Sequence, residues 1–182
     1  MSIITLKAIS ASSDDELVKL LGKELGRRIA AKHSSSVFVF EIQKLPVGLR
    51  AMAATYELDV SLTLDDLGWH FGNWHSLTMA EETIRGLEEL GASELANVFR
   101  EALRLAVRYW PMLGSKDWSR WYQGSPLEKA MELLNQQAWS ILKRNKNRIF
   151  YYWADYARKH PDRIGITSAY TAPEPTALSV EG

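Results

Sequence analysis

Residues 78–111 read TMAEETIRGLEELGASELANVFREALRLAVRYWP, and this stretch decides the fold class. Thr78 has the spacing of a capping-box residue, and Gly91 stands where a left-handed residue commonly ends a helix. Ser93 restarts a helix at once, and Pro111 prevents its continuation. Apolar residues recur at three- and four-residue steps, so the stretch predicts two amphipathic helices. The stripes are Ile84, Leu87 and Leu90, then Leu95, Val98, Phe99, Ala102, Leu103, Ala106 and Tyr109.

Two further helix-start signals flank this stretch. Ser125, Pro126 and Glu128 place a cap serine, a proline at the first helical position and a glutamate at the third. Ser13 and Glu16 have the spacing of another capping box. The sequence therefore predicts helices that begin near both serines.

The rest of the chain carries weaker signals of the same kind. Pro46 suits the first turn of a helix, Thr63 is expected to cap an aromatic one, and a last helix is predicted over 147–160. Residues 111–124 predict a loop or a short helix. The β-branched and aromatic run at 37–43 is compatible with a strand or a helix, and no second strand is evident to pair with it.

These elements predict an all-α fold, a single helical bundle of about six to seven helices. The domain is expected to span residues 12–164, with residues 1–11 as an N-terminal lead-in. Residues 165–182 lose the apolar periodicity and contain prolines and small polar residues, which predicts a disordered, flexible tail.

The composition excludes several function classes. The chain has 182 residues and no cysteine, so a disulfide framework, a thiolate metal site and a cysteine nucleophile are ruled out. No apolar run reaches the roughly 18 residues of a membrane span, and no secretory signal is evident, so we expect a cytoplasmic protein. We expect no cofactor and no bound metal.

A net charge of zero hides an uneven distribution. Residues 51–99 hold nine acidic residues against the single base Arg85, a net charge of −8, whereas residues 143–163 carry a net charge of +5. The acidic residues expected to face a partner are Asp65, Asp66, Glu81, Glu82, Glu88 and Glu89. The basic strip, as we call it, consists of Lys143, Arg144, Lys146 and Arg148.

Two spaced patterns resemble one family, the bacterial DNA-mimic-protein-like domains. The leucine-glycine-alanine corner at 87–92 and the tyrosine, histidine-proline and final hydrophobe at 156–164 are similar to that family, over roughly residues 45–164. The family's double glycine, aromatic and glutamine are reduced here to Gly68 and Trp69. The resemblance implies a helical protein that acts by contact; in the founding member an acidic surface imitates DNA phosphates and captures a DNA-binding regulator.

The sequence thus predicts a non-enzymatic protein-binding domain whose acidic helical face captures a basic partner, either a DNA-binding regulator or a toxin bound in an immunity-like way. Trp118 and Trp121 lie in the least regular segment and are candidate contact residues, because tryptophan is enriched at interfaces. The basic strip could also meet the acidic face of a second copy, which would form a homodimer.

Two alternatives from other classes are open at this point. Asp66, His70 and His75 could serve a small metal-assisted hydrolase, although the histidine spacing matches no familiar ligand pattern and no nucleophile turn is present. The basic-aromatic stretch 143–153 could bind nucleic acid. We do not expect the latter, because the stretch places part of its aromatic residues on the core stripe.

Overall fold

The computed structural model describes residues 4–29 and 36–166, and within them the chain forms eleven α-helices, one 3-10 turn and no strand. The all-α prediction is confirmed. No helix in this part of the chain has the length and apolar character to cross a bilayer. The helices are α1 (Leu6–Ala11), α2 (Asp14–Arg28), α3 (Ser36–Ile42), α4 (Val47–Leu64), α5 (Leu67–Asn73), α6 (Leu77–Glu89), α7 (Ser93–Val107), α8 (Trp110–Leu113), α9 (Trp118–Tyr122), α10 (Pro126–Lys143) and α11 (Phe150–Lys159), followed by the 3-10 turn Asp162–Ile164.

Helix α4 is the centre of the bundle. It packs against α3, α5, α6, α11 and the 3-10 turn. Its alanines and the glycine of α6 let the two backbones approach closely, because a Cβ on Gly86 would lie 2.9 Å from the carbonyl oxygen of Ala51. Small residues at the crossing therefore fix the position of α6 on α4.

The other long helices surround this centre. Helix α10 packs on α7, α7 on α6, and α11 on α2. One cluster of buried apolar residues runs from Ile4 to Ile166. Helix α1, inside the predicted lead-in, contacts α11, so residues before 12 also contribute to the core. The domain boundaries stay a prediction, and nearly all of the predicted tail, 167–182, lies outside the described residues.

Most helix boundaries follow the predicted signals. The hydroxyl of Ser125 caps α10 by accepting the Glu128 backbone N–H at 3.1 Å, and Ser13 forms a full capping box with Glu16. Gly91 has φ +78 between α6 and α7. The segment 36–42, left open between strand and helix, is helical.

Three predicted starts are wrong by a few residues. Ser76, not Thr78, caps α6, because the backbone is already extended at Ser76 and helical after it. Asp66, not Thr63, caps α5, since Thr63 still lies inside α4. The last helix begins three residues later than predicted, after a turn with positive φ at Lys146 and Asn147.

Candidate functional site: an acidic groove between helices α5 and α10

Glu82 does not face solvent. Its side chain is 1% exposed, with a salt bridge to Arg50 at 2.7 Å and one to Arg85 at 3.2 Å. Burial by itself would raise the pKa of Glu82, but hydrogen bonds from Arg50 and Gln43 outweigh burial and hold that pKa below its ordinary value. Glu82 is therefore buried where its charge joins α4 to α6, and its part in a partner-binding face stays a prediction.

The other three predicted carboxylates of α6 also contact cations of the same chain. Glu81 lies 3.2 Å from Arg85, its neighbour one helical turn later. Glu88 is bonded to Arg100 of α7, and Glu89 is bonded to Arg163 of the 3-10 turn and to the Tyr156 hydroxyl. Much of the acidic charge of α6 is thus compensated within the molecule.

The cations of the basic strip likewise connect helices. Three of the four form salt bridges with carboxylates from other parts of the chain, whereas Lys143 is exposed at the end of α10. The pairs are Arg144 with Glu94, Lys146 with Asp14, and Arg148 with Asp59. These contacts fix the turn between α10 and α11 and leave less positive charge for an outside ligand.

The two histidines of the hydrolase alternative lie in separate environments. His70 is buried, with Nδ1 3.0 Å from the Ser61 hydroxyl, and burial lowers its pKa to about 3 against a backbone hydrogen bond with Glu57. His75 stacks on Trp110 and bonds its carbonyl oxygen. Asp66, the third residue of that alternative, caps the N-terminus of α5. Among the described residues no three histidine or carboxylate side chains could hold a metal ion.

Trp118 and Trp121 are half-buried and pack against other rings. Trp118 meets Trp69 edge-to-face, with ring centroids 4.9 Å apart, and lies against Gly72, where an added Cβ would be 2.2 Å from its ring. Trp121 lies 5.7 Å from Tyr109. Both tryptophans hold α9 in place, and their role in partner contact stays a prediction.

A groove of about 400 Å³ lies where the start of α5 meets α10. Asp66 lines it from the α5 side. One face of α10 forms the other wall, because its lining residues recur at steps of four, three and four. These residues are Glu128, Glu132, Asn135 and Trp139; Lys129 and Gln136 complete the lining. We call this concavity the acidic groove.

Asp66 is held in the groove by hydrogen bonds on both sides. Its Oδ1 accepts the Trp69 backbone N–H at 2.8 Å, and the Tyr122 hydroxyl donates to the carboxylate at 3.2 Å. Burial raises the pKa of Asp66 and the charge of Glu128 adds to that increase, whereas hydrogen bonds from Trp69, Tyr122 and the Gly68 backbone oppose it. The carboxyl group of Asp66 is therefore fixed in position, and its ionised form is disfavoured there.

Unlike the α6 carboxylates, the carboxylates at the groove form no salt bridges within the described part of the chain, although Lys129 belongs to the same lining. Asp65, Asp66, Glu128 and Glu132 form no salt bridge with a lysine or arginine of the described residues. Asp65 directly precedes Asp66 and is exposed. The groove therefore brings together three carboxylates, Asp66, Glu128 and Glu132, that no salt bridge among the described residues compensates.

Apolar surface accompanies this charge. Trp139 is 42% exposed, and its indole N–H donates to the Leu62 carbonyl oxygen at 3.1 Å, which fixes the ring. Leu64 and Leu133, next in sequence to Asp65 and Glu132, are 74% and 63% exposed. Exposed apolar side chains beside unpaired charge are typical of protein-contact surfaces.

Most of the groove lining was not predicted from the sequence. Asp65 and Asp66 were predicted as partner-binding residues, but Glu128 was predicted only as a helix-start residue, and neither Glu132 nor Trp139 was predicted. The spacing along α10 was a usable signal, since it places the groove residues on one helical face.

The described residues form an all-helical protein with a groove lined by three carboxylates. The family model described as DMP19-like protein matches residues 43–160. The chain therefore belongs to the DMP19-like family, the DNA mimic protein family, as the resemblance implied. No curated protein and no solved structure matches the chain. The acidic groove lies within the matched residues.

Two substitutions at Asp66 separate its structural role from its charge. Asp66→Ala removes the cap of α5 and should lower the free energy of unfolding by about 1 kcal/mol. Asp66→Asn keeps an acceptor and removes a charge that burial and Glu128 disfavour, so it should be at least as stable as the parent chain. Urea unfolding at neutral pH measures both.

The pH dependence of this difference follows from the sign of the shift. Because folding raises the pKa of Asp66, this carboxyl group contributes to the free energy of unfolding below its ordinary pKa of 3.8. The contribution is lost as pH rises through the pKa of the folded state. The stability of Asp66→Asn relative to that of the parent chain should therefore increase with pH. Equal destabilisation by asparagine and alanine at neutral pH would mean that the ionised carboxylate itself stabilises the fold.

Proposed function

We propose that this chain is a non-enzymatic binding protein of the DNA-mimic type, which captures a basic partner through the acidic groove. One observation carries the proposal: Asp66, Glu128 and Glu132 line one concavity, and neither they nor the exposed Asp65 beside Asp66 form a salt bridge within the described residues. Membership of the DMP19-like family supports it.

The electrostatics of the groove favour a cationic partner. The pKa of Asp66 is raised mainly by burial and to a smaller extent by the charge of Glu128, and an incoming cation would stabilise both carboxylates. A DNA-binding surface carries lysine and arginine placed to meet phosphates, so carboxylates on a fixed helical frame can take the place of those phosphates. Complementary charge of this kind raises the association rate and selects the partner.

The partner that fits best is a DNA-binding regulator in the bacterial cytoplasm. A toxin bound in an immunity-like way would need the same basic surface and is distinguished by identifying the captured protein. The basic strip takes no part in this proposal, since three of its four cations are in salt bridges. Homodimer formation stays a prediction.

The test compares two triple variants with the same change of charge. Asp65→Asn, Glu128→Gln and Glu132→Gln remove three of the four carboxylate charges at the groove and leave the helix cap Asp66 in place. Glu81→Gln, Glu88→Gln and Glu101→Gln remove three exposed carboxylate charges elsewhere. Proteins captured from the native host by the parent chain are identified, and the affinity of the principal basic protein is then measured. Neutralising the groove should weaken binding by about tenfold or more, and the matched control should change it little.

Duplex DNA provides the second readout. If the partner's DNA-binding surface is the one captured, DNA should compete with the parent chain, and binding should weaken steeply with salt. Both triple variants should retain the helical content of the parent chain. Unchanged affinity after neutralisation of the groove, together with loss of affinity in the control, would contradict the proposal.

A further inference from the structure

The acidic groove contains carboxylates, an exposed indole ring and a buried amide, and an arginine side chain in a peptide can bind all three. We infer that it receives an arginine of a peptide segment in the basic partner, in preference to lysine. The inference rests on the proposed function and adds the chemistry of the contact. Its evidence is the position of Asp66 opposite Glu132, the exposed ring of Trp139, and the buried amide of Asn135.

The carboxylates lie on two walls. Asp66 begins α5 and Glu132 lies on α10, so a cation between them meets acceptors from two directions. A guanidinium has five N–H donors in a planar fork and can bond two carboxylates at once. An ammonium group is a compact point charge and lacks this geometry.

Trp139 adds a surface for stacking. Its N–H is bonded to the Leu62 carbonyl oxygen, which fixes the ring, while 42% of the residue stays exposed at the groove. A planar guanidinium stacks on an indole face through cation–π and dispersion contact, and it is more weakly hydrated than ammonium. The ring therefore favours arginine over lysine.

Asn135 indicates that the cation belongs to a peptide. The residue is 5% exposed and lines the groove, and its Oδ1 accepts the Leu67 backbone N–H at 3.0 Å. The Asn135 Nδ2 has no acceptor among the described residues. Since every fully buried side-chain nitrogen and oxygen of the described residues has a hydrogen-bond partner, Nδ2 is not fully buried and reaches solvent. This amide can donate to a backbone carbonyl of the entering segment. A small free cation would leave the donor unused.

The experiment uses two probes that differ only in the cation. The peptides acetyl-Gly-Arg-Gly-Arg-Gly-amide and acetyl-Gly-Lys-Gly-Lys-Gly-amide are titrated into the full chain at low salt, with calorimetry giving each Kd. The arginine peptide should bind about fivefold more tightly than the lysine peptide. Glu132→Gln should weaken both peptides, whereas the matched control Glu81→Gln should leave both unchanged.

Trp139→Leu and Trp139→Phe test the stacking. Leucine keeps apolar contact but has no π face, so the preference for arginine should fall to near equality; phenylalanine should keep part of it. Trp139→Leu should unfold cooperatively, which confirms that it is folded. Equal Kd values for the two peptides, no binding of either, or an unchanged preference in Trp139→Leu would each overturn the inference.

These outcomes are separable from the fate of the proposed function. If the peptides bind equally but neutralising the groove still abolishes capture of the natural partner, the inference is overturned and the proposed function stands. If the arginine peptide is preferred but capture is unaffected by neutralisation, the arginine site stands and the proposed function is overturned.

Discussion

Glu82→Ala is expected to lower the free energy of unfolding by about 3 kcal/mol. The carboxylate is 1% exposed at the side chain and holds Arg50 and Arg85 with two salt bridges. Its removal leaves Arg50 without that counterion at the junction of α4 and α6 and also creates a cavity. The expected loss lies at the lower end of the range for buried pairs, because the Arg50 side chain keeps 30% exposure and can be partly solvated.

The adjacent residue provides the control. Glu81→Ala removes a carboxylate whose side chain is 60% exposed and which shares Arg85, so its loss should change stability by about 0.5 kcal/mol or less. Urea unfolding of both variants at neutral pH, monitored by far-UV circular dichroism, measures the difference. Similar small effects of the two substitutions would show that the salt bridges of Glu82 add little to the stability of the α4–α6 junction.

The contrast between these neighbours shows what the sequence could predict about the acidic surface. The two glutamate pairs, 81–82 and 88–89, are seven residues apart and therefore repeat along one side of α6, as helical geometry requires. Besides Arg85 of α6 itself, the arginines that neutralise them come from α4, α7 and the 3-10 turn: Arg50, Arg100 and Arg163. Such pairs join residues far apart in sequence, so charge counted along a segment overestimates the charge left on the surface.

The same limit applies to the fold. Long helices were predictable because several turns repeat the apolar spacing and because Ser13 and Ser125 cap them. The helices beyond the predicted six to seven, α1, α3, α8 and α9, have four to seven residues, too few for periodicity to separate a helix from a loop. Tertiary contacts stabilise them: Trp118 of α9 lies against Gly72 of α5, for example.

The groove was partly predictable. Asp65 and Asp66 stood out because acids in a helix start are favourable to the helix dipole. The opposite wall depends on the hydrogen bond between Asn135 and the Leu67 backbone, which joins residues 68 positions apart. Periodicity can place Glu132 and Trp139 on one face of α10, but it cannot say that this face meets the start of α5.

His70 should make the protein lose stability in mild acid, and this is the second large expected effect. The ring is fully buried between Phe71 and Phe99, with centroids 5.6 and 5.5 Å away, and its Nδ1 is bonded to Ser61. Burial lowers the pKa of His70 from 6.5 to about 3, so the folded protein keeps the ring neutral where the unfolded chain binds a proton.

The sign and the size follow from linkage. A lowered folded pKa gives stability that is fully present above 6.5 and lost progressively as pH falls toward the folded value. Each pH unit in that window costs about 1.4 kcal/mol, so stability should fall by about 2 kcal/mol between pH 6.5 and 5. Carboxylates titrate mainly below pH 5, so the change in stability between pH 6.5 and 5 is assigned to histidine.

Unfolding free energies measured by urea denaturation from pH 7.5 to 5 test this directly. His70→Gln keeps hydrogen-bonding capacity in the cavity and has no proton to gain, so its stability curve should be flatter by that slope, whatever its absolute stability. His160→Gln changes an exposed histidine and should keep the slope of the parent chain. If the parent chain shows no slope that His70→Gln removes, then the folded protein accommodates the proton and His70 is not sealed from solvent. In that case the ring would be open to acid–base chemistry, and the hydrolase alternative would regain one of its three residues.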